Sequence, residues 1–91
     1  MTVISAKLSF FIPQSESLKD KRMVARSIID KTRRKFNAAV SQVDMQDMHK
    51  TLIIGVAVVS GEYAHARKML DEIIRFMEEN ADAGLNSIEI G

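Results

Sequence analysis

Ninety-one residues, 46% of them hydrophobic, suffice for one small core and not for two, so a single domain without an internal linker is expected. The lack of cysteine excludes a disulfide framework, a thiolate metal site and a cysteine nucleophile. The net charge of +1 conceals an asymmetry: residues 16–35 carry eight basic and three acidic side chains, and residues 36–91 carry four and nine. Such a bipolar chain can steer a polyanion to one side or associate head to tail. The apolar runs near Phe10 and Val56 span about ten residues each, short of the roughly 20 that cross a bilayer, and no basic n-region precedes the first of them. A soluble, unexported cytoplasmic protein is expected.

Residues 2–12, TVISAKLSFFI, alternate so that Ile4, Ala6, Leu8, Phe10 and Ile12 share one face of a strand. Val3, Ser5, Lys7, Ser9 and Phe11 share the other, and Pro13 ends the strand because proline cannot donate to a ladder. From Ser17 to Phe36 the segment SLKDKRMVARSIIDKTRRKF reads as a basic amphipathic helix. Leu18, Ala25, Ile28, Ile29, Thr32 and Phe36 recur at helical spacings and form its buried side, and Ser17 with Asp20 has capping-box spacing. Asn37 to Met45 has the weaker alternation of an edge strand, and Asp44, Gln46, Asp47 and His49 gather at a hairpin tip. Thr51 to Val59, TLIIGVAVV, is apolar on both faces, which predicts a central strand whose open face is covered by a partner. Glu62 to Asn80 forms a second helix that buries Ala66, Met69, Leu70, Ile73 and Met77, with a mostly acidic other side. Gly84 suits a left-handed cap after it, and Leu85 to Ile90 makes a last short strand. Strand, helix, strand, strand, helix, strand with right-handed crossovers predicts an α+β ferredoxin-like βαββαβ sandwich, two helices on one face of a four-stranded antiparallel sheet with the first and third strands central.

The segments SLKDKRMVARSIIDKTRRKFN, VSQVDMQD and IIGVAVVS resemble signature segments of the small bacterial family called domain of unknown function 503, or YlxP-like. The resemblance covers nearly the whole chain. It implies a ferredoxin-like fold and a cytoplasmic protein, often encoded among genes for translation initiation and ribosome maturation, and brings no established activity. Gln42 departs from it, standing where an acidic residue is expected.

At about 100° per residue, Lys19, Arg22, Arg26 and Arg33 fall within roughly 60° of one another beside the apolar side of the first helix, and Arg34 and Lys35 extend the charge. Such a stripe can track phosphates, although a solvated helix face looks the same in sequence and Asp30 stands four residues from both Arg26 and Arg34. Base stacking on the sheet would need exposed aromatics on the central strands, where Phe11 alone qualifies. Asp44, Asp47 and His49 are metal-ligand or acid/base types but also ordinary hairpin-tip residues, and His65 is treated likewise. Met69 and Met77 suit the core, whereas Met23, Met45 and Met48 are possible contact points. The chain lacks a P-loop, a GxGxxG, a GxSxG turn and a CxxC, and the link PQSES lacks the arginine-bearing anion cradle of an acylphosphatase.

These residues lead us to expect a non-enzymatic protein without a cofactor, associated with RNA or a ribosomal particle through the basic helix and homo-oligomeric through the open sheet face. The alternative is a homo-oligomeric protein-interaction or small-ligand regulatory module.

Overall fold

The computed structural model describes residues 1–44 and 48–91. Its elements follow in the order β1 (Thr2–Phe11), α1 (Leu18–Lys35), β2 (Ala39–Gln42), β3 (Thr51–Ser60), α2 (Tyr63–Asn80) and β4 (Gly84–Ile90). All strand pairs are antiparallel and the sheet order is β2-β3-β1-β4, the ferredoxin-like sandwich that the element order predicts. β1 and β3, the two strongest strand patterns, form the centre and pair without a break from Thr2 opposite Ser60 to Phe11 opposite Thr51.

Both helices lie on one face. Ala6, Leu8, Phe10 and Ile12, continuing from β1, meet Leu52, Ile54, Val56 and Val58 of β3 there, under Ala25 and Ile28 of α1 and Ala66, Leu70, Ile73 and Met77 of α2. Each large side chain so buried contributes about 1.5–3 kcal/mol of transfer free energy. Phe36 and Phe76 close the C-terminal end of α1 onto α2 in an edge-to-face pair, centroids 5.5 Å apart.

The start of α1 follows from its first residues. Ser17 is the N-cap, its hydroxyl accepting from the Asp20 N–H at 3.1 Å, while the Asp20 carboxylate accepts from the Glu16 N–H at 2.9 Å. A capping box would send this bond to the Ser17 N–H; here the aspartate accepts from the Glu16 N–H, one residue upstream. Two boundaries differ from expectation. Gly84 does not take a left-handed conformation, since no glycine has a positive φ. The helix stops instead through extended Ala81, whose N–H reaches the Met77 carbonyl, and Gly84 opens β4. The second strand is shorter than expected because Asp44 leaves the ladder: Val43 still donates to the Ile53 carbonyl, but the Ile53 N–H is taken by the Asp44 side chain at 3.0 Å. Met45 lies outside the described residues.

Candidate nucleic-acid interface

α1 buries Lys21, Ala25, Ile28 and Thr32, so its opposite side is free to carry charge. Lys19, Arg22 and Arg26 are exposed along the flank of that side and Arg34 is exposed near its end. Among the described residues the ion pairs are Lys7–Glu89, Lys21–Asp44 and Arg67–Asp71, so Asp30 neutralises neither Arg26 nor Arg34. The other two expected members are engaged. The Arg33 guanidinium donates to the Val40 carbonyl at 2.5 Å, on the edge strand β2. The Lys35 ammonium lies 4.9 Å from the centroid of Phe76 and 5.8 Å from that of Phe36, a cation–π position that holds it over the aromatic pair. All six are exposed, but Arg33 and Lys35 are held against the fold by these contacts, which leaves Lys19, Arg22, Arg26 and Arg34 as the outward part of the stripe. The exposed side of α2 is more mixed than its expected acidic reading: Arg67, Lys68 and Arg75 interleave with Asp71, Glu72, Glu78 and Glu79.

Lys21 is the residue that charge alone conceals. It sits in the middle of the apolar side, four residues before Ala25 and seven before Ile28, and spacing was the signal that could have placed it there. Its side chain is 1% exposed and that of Asp44 4%, with Nζ 2.9 Å from the Asp44 carboxylate and donating to the Met48 carbonyl at 2.8 Å. Asp44 also accepts from the Gln42 amide at 2.7 Å, a donor that an acidic residue at position 42 could not supply. The aspartate read as part of an exposed hairpin tip is thus buried and saturated with donors. Asp47 and Gln46 lie outside the described residues, and among the described residues no cluster of histidine, aspartate and glutamate has the arrangement to hold a metal ion. The His65 ring shares a hydrogen bond of 2.9 Å with the Ser60 hydroxyl at the start of α2. Met23 and Met48 are exposed.

The other face of the sheet carries no helix. Phe11, 50% exposed, is the one aromatic that β1 and β3 present there, and Val3 and Val59 are exposed at the opposite end. A groove of about 540 Å³ crosses the middle of this face over Gly55. It runs between the Lys7–Glu89 pair and Val43, with Arg33 at its β2 side.

Among the described residues no helix is long and apolar enough to cross a membrane. The chain is similar in fold to a de novo designed ferredoxin-fold protein, LFR1 1, solved by solution NMR: TM-score 0.64 and 14% identity, covering 99% of this chain and 85% of the design. A second designed protein, Ferredog-Diesel, aligns with a TM-score of 0.46 at 8% identity, over 99% of this chain and 84% of its own. In sequence the chain is 30% identical over 73 residues to the uncharacterized protein YlxP of Bacillus subtilis (strain 168), covering 80% of this chain and 79% of that protein. The family described as "Protein of unknown function (DUF503)" matches residues 3–90, which contain the basic helix, the Asp44 turn and both central strands, and the chain belongs to that family.

Proposed function

We propose that this protein is a non-enzymatic, cytoplasmic RNA- or ribosome-associated protein that holds phosphate backbone along the flank of α1. The observation that carries the reading is the run of Lys19, Arg22 and Arg26, exposed on one side of a rigid helix and free of ion pairs among the described residues. Cations at helical spacing on a fixed element can follow successive phosphates, and their favourable contacts come largely from counterion release. Arg34 extends the track by two turns. Base readout is a minor part of this reading, because Phe11 is isolated on a sheet face that the stripe does not share.

The test is binding of structured RNA and of purified small ribosomal subunits across a salt series. Four phosphate contacts predict a slope of about −3 for log K against log [salt], and Arg26→Ala should flatten it by about one. Lys19→Glu with Arg22→Glu and Arg26→Glu should abolish binding in a chain that remains folded. Absence of binding at low salt, or equal binding by the triple variant, would overturn the reading.

A further inference from the structure

We propose that the open sheet face is the interface of a symmetric dimer, a second copy of this chain lying face to face on it about a two-fold axis that runs along the seam between β1 and β3. The composition of the face calls for a cover. An antiparallel sheet with one wet face alternates apolar and strongly polar residues. Here the outward positions of β3 are Thr51, Ile53, Gly55, Ala57 and Val59, and those of β1 offer one charge, Lys7, already 3.2 Å from Glu89. Val3, Phe11, Val43 and Val59 are each at least half exposed on it.

The available area fits a second copy. Strands about 4.8 Å apart, with lengths of 10, 10, 7 and 4 residues and a rise of about 3.3 Å per residue, make a face of roughly 500 Å². Two copies would bury about 1,000 Å² in total, the least that a specific interface should clear and in keeping with a weak dimer. The stated axis exchanges β1 with β3 and β4 with β2 while keeping position along the strands. In the observed register Lys7 stands opposite both Gly55 and Glu89, and Gly55 opposite Ser41, at the midpoint of the β1–β3 ladder. The rotation therefore lays the Lys7–Glu89 ridge of one copy into the Gly55 groove of the other. Glu89 arrives over Ser41 of the second copy, on the side of the groove that Arg33 lines. Shape and charge are complementary at once. A two-fold axis running across the strands would instead stack Lys7 on Lys7, which disfavours it. Aligned sheets cross at about 30°, which moves the strand ends apart and leaves this central contact in place because it lies near the midpoint of the ladder, where the crossing pivots.

The face is separate from Lys19, Arg22 and Arg26, so failure of either proposal leaves the other standing. Sedimentation equilibrium tests this one, with far-UV circular dichroism to show that each variant is folded. The chain should be a dimer with a dissociation constant in the micromolar range. Ala57→Lys, Arg33→Glu and Glu89→Arg should each weaken it at least about tenfold, and Arg33→Glu combined with Glu89→Arg should return it to within a few-fold of the starting value. Breaking the exposed Lys7–Glu89 contact in Glu89→Arg costs the fold little. A monomer at hundreds of micromolar, a dimer indifferent to all three changes, or single losses that the double variant does not rescue would each overturn the proposal. So would a monomeric face whose residues respond to added single-stranded RNA, which would assign it to nucleic acid.

Discussion

Removing the ammonium of Lys21 tests the least expected part of the structure. Lys21→Met keeps the aliphatic stem that packs beside Ala25 and leaves the Asp44 carboxylate buried with its Ile53 and Gln42 donors but without a counter-charge. Breaking one side of a buried ion pair typically costs 3–5 kcal/mol; the two surviving hydrogen bonds argue for the lower end, about 3 kcal/mol. In a domain of this size each kcal/mol lowers Tm by roughly 4–8 °C, so a fall of about 12–24 °C is expected. Asp44→Asn should cost a similar amount, about 3 kcal/mol, since it removes the carboxylate charge beside the buried ammonium. The double variant has no buried charge and should lose about 1–2 kcal/mol, less than either single change. Urea unfolding followed by far-UV circular dichroism is the suitable assay, the chain having one tyrosine and no tryptophan. Protein concentration must be held constant, because self-association would add to the apparent stability. A loss below about 1 kcal/mol in Lys21→Met, or a double variant as weak as the two losses summed, would refute the account of this pair.

Two further changes probe the helices. Ser17→Ala removes the hydroxyl that accepts from the Asp20 N–H and should cost about 1 kcal/mol in the same urea titration; Ser17→Asp should restore most of it. Leu70→Ala empties a fully buried position between α2 and the sheet and should cost about 3 kcal/mol or more, with an unchanged far-UV spectrum of the folded state below the transition.

The parts of the fold that were legible are those where one residue property has one physical use. Alternation in residues 2–12 gave β1 its buried face of Ala6, Leu8, Phe10 and Ile12, and the doubly apolar TLIIGVAVV gave the centre of the sheet. Ser17 marked the start of α1 because a hydroxyl there has a defined acceptor role. What stayed hidden involves long side chains that fold back on the protein. Lys21 occupies an apolar register with a charge, and its burial is supported by groups distant in sequence, among them Asp44 and the Met48 carbonyl, 23 and 27 residues away. Arg33 lies at the helical angle of the stripe and Lys35 about 160° from Lys19, and an edge carbonyl and an aromatic pair claim them. Gly84 suggested a cap because glycine permits one, but permission is not a requirement, and extended Ala81 ends the helix without it.

The β1–α1 connection bears on what kind of anion would suit the proposed phosphate-binding role. In this architecture the connection leads straight into a helix N-terminus, where a lone phosphate would look for unsatisfied donors. Here the Ser17 hydroxyl already takes the Asp20 N–H, the Asp20 carboxylate places a negative charge beside that end, and the Lys50 ammonium is held by the Pro13 and Ser15 carbonyls. The place where a mononucleotide or a phosphoryl group would dock is therefore filled by the chain's own acceptors. The exposed cations begin with Lys19 in the first turn and run lengthwise along the helix to Arg34. On the proposed reading such a layout would discriminate by polymer length: one phosphate would meet one or two of these cations, and a backbone several nucleotides long would meet them all.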